Sequence, residues 1–171
     1  MLRKCLWLVA VAVLVLSQWV GGPAIAAELD EATRTVPLNV EGDTIVLSLD
    51  QVARGRKKFS QTCAICHNSG ITKTNPTVGL DAGSLAGALP PRDNVEALVA
   101  YLKEPMTYDG LSDISALHPS LKSSDIYPQM RGLTDEDLVA LSGHILIQPK
   151  ILGPLWGGGK STVSAPGLGS A

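Results

Sequence analysis

The chain has 171 residues and carries 14 Lys+Arg against 16 Asp+Glu, a formal charge of −2. That balance excludes a nucleic-acid binder, whose phosphate contacts need clustered cations. Three cysteines are too few for a disulfide-stapled scaffold, and the length suits one domain with a core of its own.

The N-terminus reads as a processing signal. Arg3 and Lys4 precede an apolar run from Leu6 to Leu16, and small residues end in Ala24-Ile25-Ala26. A basic start, a short apolar stretch and an A-x-A site are the parts of a cleaved secretory leader. The run is shorter than the roughly 20 apolar residues that span a bilayer, which argues against a retained anchor. Residues 1–26 are therefore expected to be removed, and the mature chain to begin Ala27-Glu28-Leu29. The leader takes Cys5, Trp7, Trp19 and two positive charges with it. The mature chain holds 12 basic and 16 acidic residues, a formal charge of −4, and two cysteines.

Thr35-Val36-Pro37-Leu38-Asn39-Val40 and Thr44-Ile45-Val46-Leu47 flank Glu41-Gly42-Asp43. These β-branched runs about a glycine turn predict a short β-hairpin, a surface feature without chemistry of its own. Ser48, with Gln51 three residues on, is a capping-box start for a helix from Leu49 or Asp50 to about Cys63. Gly55, Phe59 and Cys63 fall at i, i+4 and i+8 and share a face, and the glycine admits close approach of a second helix. Arg54, Arg56, Lys57 and Lys58 cover the other sides. They read as a solvated face, with a docking patch for an acidic partner as the alternative.

The helix runs into Cys63-Ala64-Ile65-Cys66-His67, a C-x-x-C-H, the pattern of c-type haem attachment. Each thiol can add to one haem vinyl group, and the histidine that comes next is placed to ligate the iron. A zinc site would need two further ligands, and the mature chain has no third cysteine to give. A redox C-x-x-C would want a cytosolic, βαβ setting, and a structural disulfide would leave His67 unexplained. Aromatics after the leader are confined to Phe59, Tyr101, Tyr108, Tyr127 and Trp156, so a bound porphyrin would supply much of the hydrophobic interior.

Asn68 to Pro91 is rich in Gly, Thr, Asn and Pro and predicts a long loop with one helical turn near Ser84 to Ala88. Asp93 or Asn94 caps a helix over Val95 to Lys103, stopped by Pro105. Tyr108 to Met130 is again irregular, with one short helix expected near Ser112 to Leu117. Thr134, followed by Asp135, Glu136 and Asp137, caps a helix whose Leu138, Leu141 and Ile145 form a core-facing stripe, closed by Pro149. Trp156 and everything after it read as extended or disordered, ending in a flexible tail over 161–171. The pattern is mostly α, a class I cytochrome c-like haem fold with an added N-terminal β-hairpin.

Met106, Met130, His118 and His144 compete for the iron position opposite His67. Met130, in Pro128-Gln129-Met130 just before the last helix, matches the usual class I placement and would raise the potential. His144 lies inside the last helix and reads as a satisfied helix histidine. His118 is a loop imidazole whose backbone is restrained by Pro119, which suits a ligand.

The mature chain to about Lys160 resembles the cytochrome c-550 family, the extrinsic haem subunits of photosystem II. The matching stretches include Gly70-Ile71-Thr72-Lys73-Thr74-Asn75-Pro76, Pro90-Pro91-Arg92-Asp93-Asn94, Thr107-Tyr108-Asp109-Gly110, His118-Pro119-Ser120-Leu121, Gly143-His144-Ile145-Leu146 and Trp156-Gly157-Gly158-Gly159-Lys160. The resemblance implies one covalent haem c on Cys63 and Cys66, with His67 and His118 as axial iron ligands and Met130 as neighbouring packing. Two imidazoles lack the potential-raising thioether, so it implies a low-potential haem as well. It also implies a domain over 27–160, a lumenal location peripheral to the thylakoid membrane (or the periplasmic side of the plasma membrane where thylakoids are absent), and partners in the photosystem II core and its other extrinsic subunits. The expected role is support of oxygen evolution and retention of calcium and chloride, with no enzyme activity of its own. The alternative is a soluble electron carrier with His67/Met130 ligation. Residues after Lys160 depart from the family pattern.

Replacing Cys63 and Cys66 together with alanine is expected to yield protein whose haem is extracted by acidified solvent. Haem that stays with the polypeptide would refute attachment through these thiols.

Overall fold

The computed structural model describes residues 29–158; the predicted leader, Ala27-Glu28 and the tail from Gly159 lie outside the described residues. In chain order the elements are α1 (Glu31–Arg34), β1 (Thr35–Pro37), β2 (Thr44–Val46), α2 (Leu49–Thr62), α3 (Ala82–Ala86), α4 (Val95–Lys103) and α5 (Asp135–Leu152). Single 3-10 turns lie at Asn68–Gly70, Pro128–Met130 and Gly153–Leu155.

The hairpin forms where the β-branched runs predicted it. β1 and β2 pair antiparallel with Val36 opposite Ile45, and Asn39 and Asp43 clasp the turn through Asn39 Nδ2→Asp43 Oδ2 at 2.9 Å and Asp43 N→Asn39 Oδ1 at 3.1 Å. It is more than a surface ornament. Val36 and Leu47 are fully buried and form a second core cluster with Val95 of α4 and Ile147 of α5.

α2 begins on the predicted reciprocal cap: Gln51 N donates to Ser48 Oγ at 3.1 Å, and Ser48 N donates to Gln51 Oε1 at 2.8 Å. It crosses α5 at Gly55. A Cβ at that position would overlap the carbonyl oxygen of Ala140, so only glycine lets the two backbones meet. Around the crossing, Phe59, Leu98, Leu102, Leu138, Leu141 and Ile145 make the main core. α5 is long and apolar enough to cross a membrane by composition, but its middle is buried inside the protein, as befits a core helix.

The start of α5 is locked onto α2 by charge. Asp137 caps the Thr134 N–H at 3.1 Å and also receives Arg54 Nε at 2.7 Å and Lys58 Nζ at 3.2 Å, with its own side chain only 3 % exposed. Burial alone would push its carboxyl up. The Thr134 N–H and the two cations outweigh that and hold it down at about 2. Arg54 and Lys58 therefore serve the fold, leaving Arg56 and Lys57 as the exposed remainder of the basic cluster.

Four expectations need correction. The turn expected at Ser84 to Ala88 starts earlier, at Ala82, because Asp81 Oδ1 takes the Ser84 N–H at 2.9 Å. No helix forms over Ser112 to Leu117. Asp113 instead accepts from Ser115 N at 2.8 Å and its backbone pairs with Met106, local bonds that compete with a helix. Pro149 does not close α5. The helix runs to Leu152, with Gly153 N bonded to Pro149 O, and Lys150 Nζ fastens the last turn to the backbone oxygens of Ala32 and Thr35. Trp156 is not part of a loose end: it is 4 % exposed, packs 5.6 Å from Phe59 and donates Nε1 to Leu80 O at 2.9 Å.

Gly55→Ala is expected to cost about 3 kcal/mol, the upper range for inserting a methyl into a packed interior, because backbone rather than side chain must move. Chemical denaturation of the holoprotein measures it, and a wild-type midpoint would show that the helices do not meet there.

Candidate functional site

α2 unwinds at Cys63, whose N–H still reaches Phe59 O at 2.9 Å. Cys66 N and His67 N then both bond back to Cys63 O, at 3.1 and 2.9 Å. The C-x-x-C-H is thus wound as one tight turn, and both cysteines and His67 come to line the same cleft. Neither thiol is in a disulfide. Burial pushes the Cys63 thiol up to about 11, so it is fully protonated at neutral pH. His67 Nδ1 lies 3.2 Å from Thr72 Oγ1, a contact that leaves Nε2 for the cleft when Nδ1 holds the proton.

The facing wall is carried by the loop after α4. Leu121 N and Lys122 N bond to Leu102 O and Lys103 O at 3.0 and 3.1 Å, and Lys122 Nζ bridges Asp113 (2.7 Å) and Glu104. The loop therefore hangs from the end of α4, and His118, with its N–H on Ile114 O at 2.8 Å, points a ring at His67. The two imidazole centroids are 6.1 Å apart with planes at 55°. Burial, then the facing His67, push His118 down to about 4. The Pro119 backbone pulls weakly the other way, yet His118 Nδ1 completes no hydrogen bond and is a buried polar atom without a partner. Burial also lowers His67. Both rings are thus neutral, with lone pairs to offer, at physiological pH.

Between them lies a cleft of about 310 Å³ walled by Leu80, Leu85, Leu98, Ile114 and Met130, among others, with no carboxylate in its lining among the described residues. A metal–imidazole bond of about 2.0–2.1 Å plus about 1.1 Å from nitrogen to ring centre predicts centroids about 6.3 Å apart for two imidazoles on one metal. The observed 6.1 Å matches that, and the apolar walls and paired thiols fit a flat, covalently held porphyrin. A bare zinc site does not fit: among the described residues no three His, Cys, Asp or Glu side chains converge as a metal cluster.

The remaining ligand candidates separate by position. Met130 is 1 % exposed and also lines the cleft, as does Met106. His144 lies outside the lining. Its ring packs 5.0 Å from Phe59 and 6.2 Å from Trp156, with Nδ1 3.3 Å from Gln148 Nε2, so it is a core histidine as its helix position implied. Sequence reasoning passed over Thr72, Tyr101 and Arg92, which lie among the lining residues. Tyr101, the one aromatic on α4, carried a weak signal; Thr72 and Arg92 carried none.

The cytochrome c-550 domain family matches residues 27–163. The chain belongs to the cytochrome c-550 family. Photosystem II extrinsic protein V of Emiliania huxleyi is 63% identical over 138 residues, covering 81% of this chain and 84% of that protein. The protein of the same name from Synechococcus elongatus is 60% identical over 159 residues, covering 93% and 95%. Among solved structures, cytochrome c549 superposes with a TM-score of 0.74 at 54% identity, over 75% of this chain and 99% of its own. The PsbV2 cytochrome of Thermosynechococcus elongatus gives 0.61 at 34% identity, over 72% and 87%. The fold is accordingly that of a class I cytochrome c, with the β1–β2 hairpin added, and the cofactor of the cytochrome c-550 family is a covalently bound c-type haem.

His144 gives this cytochrome a pH dependence. Burial, then the charge of Arg56, lower its pKa from the usual 6.5 to about 4. Between those values the unfolded chain binds a proton that the native state does not, so stability is full above about 6.5 and falls as pH drops towards 4. His144→Gln is expected to flatten that part of the stability–pH curve relative to wild type. Parallel curves would show that His144 titrates freely in the fold.

Proposed function

We propose that this chain is an extrinsic subunit of photosystem II, peripheral on the lumenal side of the thylakoid membrane, carrying one low-potential haem c. In this reading Cys63 and Cys66 hold the haem through thioethers, and His67 and His118 are its axial ligands. The observation that carries it is the pair of neutral imidazoles 6.1 Å apart across an apolar cleft. Relatives at 60% identity and above bear the name photosystem II extrinsic protein V, which supports the assembly and the location. From the sequence pattern alone we propose the cleaved leader over 1–26, the domain over 27–160 and the flexible tail over 161–171.

When bound, the haem supplies a one-electron couple. The chain's residues set its conditions. Two imidazoles without a thioether favour the oxidised iron, and the apolar walls exclude water. Thr72 orients His67 through Nδ1, and the Lys122–Asp113–Glu104 clip holds the His118 loop against α4. Were His67 and His118 both to hold the iron, no position would be left open for a substrate, which supports a non-catalytic role. The subunit stabilises the oxygen-evolving complex and its retention of calcium and chloride, while the chemistry of water oxidation belongs to its partners.

A second reading is favoured by one observation: Met130, buried and in the same cleft, would make a higher-potential soluble carrier if it replaced His118 on the iron. The near-infrared spectrum of the oxidised protein separates the two. We expect no methionine–iron band, and we expect the protein to rebind depleted photosystem II and restore oxygen evolution at low calcium and chloride. A methionine band, or failure to rebind, would overturn this reading. His118→Ala should change the spectrum and raise the potential or open the site.

A further inference from the structure

The two facing histidines are not held alike. His67 has Thr72 Oγ1 3.2 Å from Nδ1, the polar partner that usually fixes the plane of a metal-bound imidazole. His118 Nδ1 has no hydrogen-bond partner, although its backbone is well anchored through His118 N→Ile114 O and Ser123 Oγ→His118 O at 3.2 Å. The loop thus fixes where His118 is but leaves rotation of its ring to packing.

That packing comes from Tyr101 of α4, whose ring stands edge-on to His118 at 5.0 Å and 63°. Tyr101 is held in turn. The Arg92 guanidinium carbon lies 4.1 Å over the Tyr101 ring, and Arg92 Nη2 donates to Met106 O at 3.0 Å and Thr107 O at 2.6 Å. Arg92 N also bonds Leu85 O at 2.9 Å, which ties this residue to α3 as well. Among the described lining residues Arg92 is the only Lys, Arg, Asp or Glu, and no salt bridge neutralises it within the described chain.

We propose that Tyr101 is the positioning residue for the His118 imidazole plane, and that Arg92 both clamps Tyr101 and raises the haem potential through its unpaired positive charge. The proposal rests on His118 being an axial ligand. A cation in the wall of the cleft would favour the reduced form of a haem held there, so Arg92 would offset part of the lowering that two imidazoles impose. The angle between the imidazole planes, 55° here, is then a property built by an arginine–tyrosine pair rather than by a hydrogen bond.

The test uses the holoprotein, reading low-spin ferric EPR, which responds to the mutual angle of two axial imidazoles, and the midpoint potential. Tyr101→Leu should shift the g-values, while Tyr101→Phe, which keeps the ring, should leave them as in wild type. Arg92→Gln keeps an amide donor for the Met106 and Thr107 carbonyls but loses the charge. It should shift the potential negative and move the g-values, and Arg92→Lys should recover the potential. If Tyr101→Leu does not accumulate with haem, Arg92→Gln alone decides, since it leaves Tyr101 in place. A purely structural role would lower thermal stability with g-values and potential unchanged, and that result would overturn the proposal. A methionine–iron band in the unsubstituted protein would instead overturn the axial reading and this proposal together. Imidazole-only ligation with unmoved g-values would overturn this proposal alone.

Discussion

The close approach of α2 and α5 at Gly55 is the contact on which the site depends. It sets the middle of α2 against Ala140 and His144 of α5, so that Cys63, just past the end of α2, packs against the main core. α4 packs on α5 through Leu98 and Leu102, and the His118 loop is bonded to the last turn of α4. Both walls of the cleft are therefore referred to the same helix. A shift at the crossing would change the separation of the two imidazoles, although neither touches Gly55.

Charge is used sparingly inside this frame. Asp137 is almost wholly enclosed and stays ionised because a backbone N–H and two cations meet it, which pins the crossing against sliding. Around the cleft the opposite holds: histidines are kept neutral, the Cys63 thiol protonated and carboxylates absent from the lining among the described residues. One region fixes geometry with ions, and the other preserves lone pairs by excluding acids, with Arg92 the one charged side chain among its described lining residues.

Local chemistry with a short reach was legible in the sequence. The caps at Ser48, Asn94 and Thr134, the hairpin and the glycine face each involve residues within a few positions of one another, and all of them appear in the fold. The C-x-x-C-H was legible for the same reason. What escaped depends on distance along the chain. Trp156 looked like the start of a polar tail because its partners, Phe59 and Leu80, lie far upstream. Ser112 to Leu117 is the exception: the competing bonds of Asp113, to Ser115 N and through its backbone to Met106, are local ones. Local pattern put Met130 ahead of His118, because the placement of the His118 ring opposite His67 is set by loop contacts far along the chain. Only the family resemblance pointed to His118.

The burial of Trp156 has a bearing on the order of events during biogenesis. The indole lies against Gly70, and Gly157 N bonds Ser69 O, so the segment that follows His67 is backed by residues from beyond α5. Until Trp156 has docked, the turn at Cys63–His67 lacks its backing. The thiols are then accessible and lack the burial that holds Cys63 at about 11 in the finished protein. Haem attachment through these thiols, as proposed, is favoured before Trp156 docks and disfavoured after it.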